Sequence, residues 1–244
     1  MRVRLVIEYD GTNYVGWQVQ PNGVSVQQVI EQTFKRVYGE KINLVGSGRT
    51  DSGVHALGQV AHFDTQLNVP AQSFSHGLNG KLPDDIKILS SVEASVDFHA
   101  RFTAKRKTYR YNIYVSNFIK PLSERYAVRV NPGLNVEKMI NGAKLIEGEH
   151  DFVSFCASGS AVKNTVRRVD KIEVIVKGNE ISFLVTGSGF LYNMVRIIVG
   201  TLLALGYEKI SENHVISALN GKNREVLGKT MPAKGLTLMS VEYD

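Results

Sequence analysis

Apolar and polar residues alternate through residues 3–9, VRLVIEY, and a period of two with β-branched residues predicts a strand. Ser25 follows a loop carrying Gly11, Gly16, Trp17 and Pro21, and with Gln28 three residues on it forms a capping-box pattern. The period then changes to that of a helix, with Val26, Val29, Ile30, Phe34 and Val37 on one face and Gly39 at its end. Ile42 to Val45 predicts a short strand, Gln59 to Asp64 another, Pro70 to Leu78 a weaker helix closed by Gly80 and Pro83, and Ile86 to Val92 a further strand. The order β-α-β-β-α-β is that of a split βαβ sheet with helices on one face.

Beyond residue 100 the pattern repeats loosely. Strands are predicted at Thr108 to Val115 and Arg125 to Val130, and a helix at Val136 to Ile146 after Asn135, with Met139, Ile140 and Ala143 inward. Arg167 to Lys177 and Glu180 to Thr186 flank Gly178-Asn179, a hairpin signal. Leu191 to Leu205 reads as a long apolar helix, Glu212 to Leu219 as a short one, and Leu236 to Tyr243 as a closing strand. The chain is therefore expected to be α+β, with halves 1–100 and 101–244. No Pro-rich or low-complexity linker separates them, so they are expected to share one mixed, mostly antiparallel sheet, with helices outside and a central cleft.

Length and composition narrow the function. No apolar run reaches the roughly 18 residues of a membrane span; Val195 to Leu205 is too short and contains Arg196. Met1-Arg2-Val3-Arg4 runs directly into the first strand, which predicts no leader, and the single cysteine, Cys156, suits a cytoplasmic protein. Lysine and arginine total 29 against 23 acidic residues, a formal charge of +6, which favours a polyanionic partner. Five of those cations, Arg101, Lys105, Arg106, Lys107 and Arg110, lie in RFTAKRKTYR with Phe102 and Tyr109 among them and no acid. Cations meet phosphates and aromatic faces stack on bases, so the composition is that of a nucleic-acid groove. A solvated basic strand has the same composition.

The densest chemistry lies in GRTDSGVH, Gly48 to His55, where Arg49, Asp51 and His55 stand among small residues after an apolar run. A phosphate loop would need Lys and then Ser or Thr after Gly53, where Val54-His55 stand, and a dinucleotide fingerprint from Gly46 would need glycine in place of Asp51. Thr186-Gly187-Ser188-Gly189 breaks the same fingerprint at Tyr192. An Asp between glycines commonly forms a turn; Arg49 beside it is not something a turn requires. Arg196 is the second isolated polar residue. In so apolar a helix its guanidinium must find a carboxylate or carbonyls, with Asp51 one candidate and another acid the other. The histidines lack metal-ligand spacing.

Together these segments resemble the tRNA pseudouridine synthase A family over nearly the whole chain. IEYDGTNYVGWQVQ (Ile7 to Gln20) resembles its N-terminal signature and GRTDSGVHA (Gly48 to Ala56), followed by GQVAHF, its catalytic motif. FHARFTAKRKTYRY (Phe98 to Tyr111) and FLYNMVRIIVG (Phe190 to Gly200) are similar to two further motifs, and Gly235-Leu236 to Tyr243 to its closing strand. The resemblance implies the pseudouridine synthase fold and isomerisation of uridine to pseudouridine at positions 38, 39 and 40 of the tRNA anticodon stem-loop, with Asp51 as nucleophile or base. It also implies Tyr109 stacked on the uracil, Arg196 paired with the aspartate, and Arg49 holding the extruded nucleotide. It implies a homodimer, tRNA as partner, and neither metal, cofactor nor membrane. Ser52 stands where many relatives carry alanine and Thr237 where many carry tyrosine, leaving room for a shifted site preference. A non-catalytic RNA binder on the same scaffold would not need Asp51, Tyr109 and Arg196 together.

Overall fold

The computed structural model describes residues 1–159, 162–221 and 223–244, in two compact units: Met1–Lys105 with Thr237–Asp244, and Arg106–Leu236. Both combine a β-sheet with helices, as the α+β class requires.

The first unit contains β1 (Arg2–Tyr9), α1 (Val26–Tyr38), β2 (Val45–Gly46), β3 (His55–Asp64), α2 (Ser73–Asn79), β4 (Ile86–Ala94) and, from the C-terminus, β10 (Leu236–Glu242). β1 lies between β4 and β3, antiparallel to both, and β2 is antiparallel to β3, the split arrangement read from the sequence. The edge of β3 away from β1 is shared: His62 and Ala61 face β2, while His55 and Ala56 run parallel with Thr237 and Leu238 of β10. That pairing carries β3 four residues further back than its apolar pattern predicts. It depends on Gly58, where a Cβ would lie 2.6 Å from the Met239 carbonyl oxygen. β2 is shorter than predicted because the Leu44 N–H donates to Glu31 Oε1 (2.9 Å) rather than to a strand. α1 begins as its capping box demands, with Ser25 accepting from the Gln28 N–H, and ends at Gly39 in the left-handed region (φ 75°). α2 starts at Ser73, three residues after Pro70. Phe34 of α1, Phe74 of α2 and Phe63 of β3 pack with ring centroids 5.0–5.6 Å apart, so both helices cover the same sheet face.

The second unit contains β5 (Arg106–Val115), β6 (Val128–Val130), α3 (Val136–Ile146), β7 (Gly148–Asp151), β8 (Val166–Lys177), β9 (Glu180–Gly187), α4 (Met194–Gly206) and α5 (Glu212–Gly221). Strand order is β5-β9-β8-β7, all antiparallel, with β6 parallel to the outer edge of β5. The hairpin turns at Gly178-Asn179, Gly178 having φ 58°. Asn135 caps α3, whose buried residues are Met139, Gly142, Ala143 and Ile146. Ile140, expected inward, lies off that stripe and is 38% exposed. β6 begins only at Val128 because residues 120–127 form helical turns, with the Ala127 N–H on the Ser123 carbonyl. α3 packs against α4 without a side chain at Gly142, where a Cβ would lie 2.2 Å from Leu205 Cδ1.

Candidate active site

The candidate residues of the two units are held differently. In the first unit residues 47–54 join β2 to β3, and the N-terminal segment 9–17 wraps them. The Trp17 N–H donates to the Thr50 carbonyl (3.1 Å), the Gly53 N–H to the Tyr14 carbonyl (3.3 Å), and Ser52 Oγ to the same carbonyl (3.2 Å). Tyr9 and Thr50 share a buried hydroxyl–hydroxyl bond of 2.8 Å. Two close approaches exclude any larger residue: a Cβ on Gly11 would meet the Val54 carbonyl oxygen at 2.0 Å, and one on Gly16 (φ 107°) the Thr50 oxygen at 2.4 Å. Beneath the loop Ser47 Oγ donates to Gln59 Oε1 (2.7 Å), and Gln59 Nε2 donates to the Gly48 carbonyl (3.0 Å).

The Asp51 carbonyl accepts from the Val54 N–H (3.1 Å), and Gly53 takes φ 77°, the position a type II turn reserves for glycine. Asp51 is thus a turn residue, half-buried, on a backbone fixed from both sides. Arg49, two residues earlier, is exposed. His55 closes the motif with Nδ1 3.0 Å from Asp10 Oδ1 and 3.1 Å from the Gly11 nitrogen, tying the end of the loop to the start of the wrapping segment. Burial holds the Tyr9 and Tyr14 phenols well above the usual tyrosine range, so Tyr9 stays protonated against Thr50 in the loop, and Tyr14, whose hydroxyl donates to Asp85 Oδ1 (2.6 Å), against that carboxylate.

In the second unit Tyr109 and Tyr111 lie on the buried face of β5, opposite Val185 and Phe183 of β9. Tyr109 is 8% exposed and meets Phe190 edge-on at 5.3 Å. Tyr111 donates its hydroxyl to the Pro232 carbonyl (2.7 Å), and burial raises its pKa, opposed in part by the charge of Arg196. Arg196, half-buried on α4, donates from Nε to the Met231 carbonyl (2.6 Å) and from a terminal nitrogen to Asn193 Oδ1. Residues 227–232 therefore form a strap that supplies acceptors to both Arg196 and Tyr111. The strap lies on α4 because neither contact surface has a side chain: a Cβ on Gly200 would sit 1.8 Å from the Lys229 oxygen, and one on Gly228 2.1 Å from the Gly200 oxygen.

Asn193 occupies the N-cap of α4 in the left-handed region (φ 60°), without the usual side-chain capping bond. Its amide oxygen serves Arg196 instead, a local cost that Asn tolerates better than most residues. Sequence reasoning passed over Asn193 and the strap. Asn ahead of an apolar helix reads as an ordinary cap, and Met231 lies 35 residues from Arg196.

The basic cluster divides between the units. Strand alternation puts Lys107 on the face of Tyr109 and places Arg106 and Arg110 on the other. Arg106 pairs with Asp170 (3.4 Å) and Lys105 with Asp244 (2.9 Å). Arg101 is exposed, its guanidinium carbon 5.5 Å from the centroid of the Phe102 ring. Among the described residues no cluster of three or more His, Cys, Asp or Glu is placed to hold a metal.

A family model described as tRNA pseudouridine synthase matches residues 5–103 and 143–244. A tRNA pseudouridine synthase A of Ruminiclostridium cellulolyticum is 48% identical over 243 residues, covering 99% of each chain. That of Acetivibrio thermocellus is 47% identical over 241 residues, again 99% of each. That of an Exiguobacterium species is 44% identical over 243 residues, 100% of this chain and 98% of its own. These relatives also span residues 104–142, which hold Tyr109 and lie outside the family-model match. Among solved structures, a chain in the crystal structure of a Cbf5-Nop10-Gar1 complex aligns with TM-score 0.39 and 16% identity, over 82% of this chain and 45% of that one, too remote to argue from. On the family-model match and the full-length identity, the chain belongs to the tRNA pseudouridine synthase A family, a family of isomerases.

Proposed function

We propose that this enzyme converts uridine to pseudouridine at positions 38, 39 and 40 of the tRNA anticodon stem-loop, with Asp51, Tyr109 and Arg196 acting on one extruded nucleotide. A base within a stem is out of reach until it is flipped, at a cost of a few kcal/mol, which phosphate contacts and aromatic stacking must offset. Arg49 holds the extruded nucleotide, and Arg101, Lys105, Arg106, Lys107 and Arg110 supply cations for the backbone. The C1′–N1 bond breaks, the uracil turns while enclosed, and C1′ bonds to C5; the C5 proton is lost and N1 gains one. No electrons are exchanged, so the reaction needs no redox cofactor, and the family resemblance implies no metal.

Asp51 acts ionised, as nucleophile at C1′ or as base at the ribose 2′ proton. Tyr109 stacks on the uracil and assists loss of the C5 proton. Arg196 keeps the carboxylate ionised, as a nearby fixed cation does. The enzyme works in the cytoplasm as a homodimer with one tRNA contacting both subunits.

The observation that carries this reading is the fixed backbone at Asp51, which sits half-buried on a loop locked by Gly11, Gly16 and Tyr14. A reacting group needs such fixity, because misplacement by 1 Å can cost roughly a hundredfold in rate. The test is pseudouridine formation in anticodon stem-loop RNA carrying uridine at the three positions. Asp51→Asn is expected to lower turnover at least about a thousandfold while tRNA affinity stays. Full turnover in that variant would sink the assignment, and tRNA binding without product in the wild type would favour a non-catalytic binder.

A further inference from the structure

Residues 98–103 of the first unit form a turn in which each backbone N–H donates a hydrogen bond and the carbonyls of residues 98, 99 and 100 accept one. Arg2 donates to the Phe98 carbonyl (2.8 Å), and the Ala100 N–H donates to Nδ1 of the buried His62 (3.1 Å). The Tyr243 hydroxyl donates to the Ala100 carbonyl (2.6 Å). His99 Nδ1 accepts from the N–H groups of both Arg101 and Phe102 (3.2 Å each), and Thr103 Oγ1 donates to the His99 carbonyl (2.7 Å).

This order holds an apolar ring in water: Phe102 is 75% exposed. The ring also ends a column that starts in the core. His62 meets His99 at 4.9 Å between centroids, and His99 lies against Phe102 at 4.3 Å and 31°, so one face of Phe102 is supported from below. Arg101, beside the ring, forms no ion pair among the described residues.

A preorganised aromatic face with an unneutralised guanidinium next to it matches the chemistry of an unpaired base and its phosphate. We infer that the 98–103 turn is a stacking subsite for an unpaired nucleotide of the bound tRNA, with Phe102 taking the base and Arg101 the adjoining phosphate. This rests on the proposed RNA substrate but not on the chemistry at Asp51.

The experiment measures Kd for unmodified tRNA, and separately KM and kcat, for the full-length wild type and for Phe102→Ala, Phe102→Leu, Phe102→Tyr and Arg101→Gln. Thermal melting confirms that each variant folds. Phe102→Ala and Phe102→Leu are each expected to raise Kd and KM roughly tenfold with kcat retained, and Phe102→Tyr to restore wild-type affinity, because stacking needs a ring face and not merely apolar bulk. Arg101→Gln is expected to weaken binding and reduce the slope of log K against log salt by about one ion, whereas Phe102→Ala leaves the slope unchanged.

Phe102→Leu binding as well as wild type, or Phe102→Ala with unchanged Kd, would overturn the inference. Lost self-association with intact tRNA affinity would overturn it too, giving the ring to a contact between copies. Because binding is read apart from product, Phe102-dependent binding without pseudouridine would refute only the proposed reaction, and turnover with Phe102-independent binding only the subsite.

Discussion

The Asp51 loop and the Arg196 helix face solve one problem in opposite ways. Around Asp51 the constraint is mainly backbone on backbone, with Gly11 and Gly16 allowing residues 9–17 to lie directly on residues 50–54. Around Arg196 the constraint is side chain on backbone, with a guanidinium reaching carbonyl and amide oxygens that a glycine-bound strap and a left-handed asparagine present to it. The first arrangement tolerates no added atom. The second is as intolerant at Gly200 and Gly228, and depends in addition on the hydrogen-bonding geometry of one guanidinium.

Substitutions that add one methyl group test the first half of that comparison most severely. Gly16→Ala places a Cβ in a left-handed backbone and against the Thr50 oxygen at 2.4 Å. It should cost about 3 kcal/mol, lowering Tm by roughly 6–12 °C in a chain of this size. Calorimetry showing a change within 1 °C would mean that the segment does not pack on the loop as described.

Arg196→Lys tests the second half. Lysine keeps the charge but lacks the fork that reaches Met231 and Asn193 together, so kcat should fall about a hundredfold with tRNA Kd nearly constant. Kinetics indistinguishable from wild type would reduce Arg196 to a point charge. Asn193→Gly sharpens the same contrast: it relieves the φ 60° backbone while removing an acceptor from Arg196. We expect stability unchanged or higher by a few tenths of a kcal/mol, with activity down about tenfold. Equal losses in both would mean that the asparagine serves the fold alone.

The last expected effect is one of pH, behind the loop's strand. Burial first, then the charges of Arg2 and His99, depress the His62 pKa to about 4, with Asp64 opposing. The unfolded chain takes up its proton near the ordinary histidine value of about 6.5, so folding stability falls as pH drops through that value toward 4. Screening by nearby water limits the loss to about 1–2 kcal/mol at pH 4.5. His62→Asn, which keeps an acceptor for the Ala100 N–H, should flatten that part of the stability profile in urea melts. An unchanged profile would place the pH sensitivity elsewhere.

Much of the local structure was legible because its causes are local. Ser25 and Gln28 mark the start of α1, Asn135 that of α3, and Gly178-Asn179 the hairpin turn, each through contacts a few residues apart. Boundaries failed where a distant partner intervened. β3 runs back to His55 because β10 arrives from the far end of the chain, and β2 loses residues 42–44 because Glu31 takes the Leu44 N–H. The Asp51 motif could be found as a cluster of reactive residues among glycines, and its reading as a turn was correct as far as it went. What the turn is packed against was not in the motif.

The sequence by itself therefore determined which residues could be reactive and where most strands and helices lie, since composition, periodicity and capping act over a few residues. Only the tertiary structure decided what holds those residues still. The wrap of residues 9–17 around Asp51, the strap that meets Arg196 and the divided faces of the basic strand all depend on pairings across tens of residues or on strand facing. Such pairings are set by where a missing Cβ lets two backbones meet, and a linear pattern carries the glycine without naming its partner.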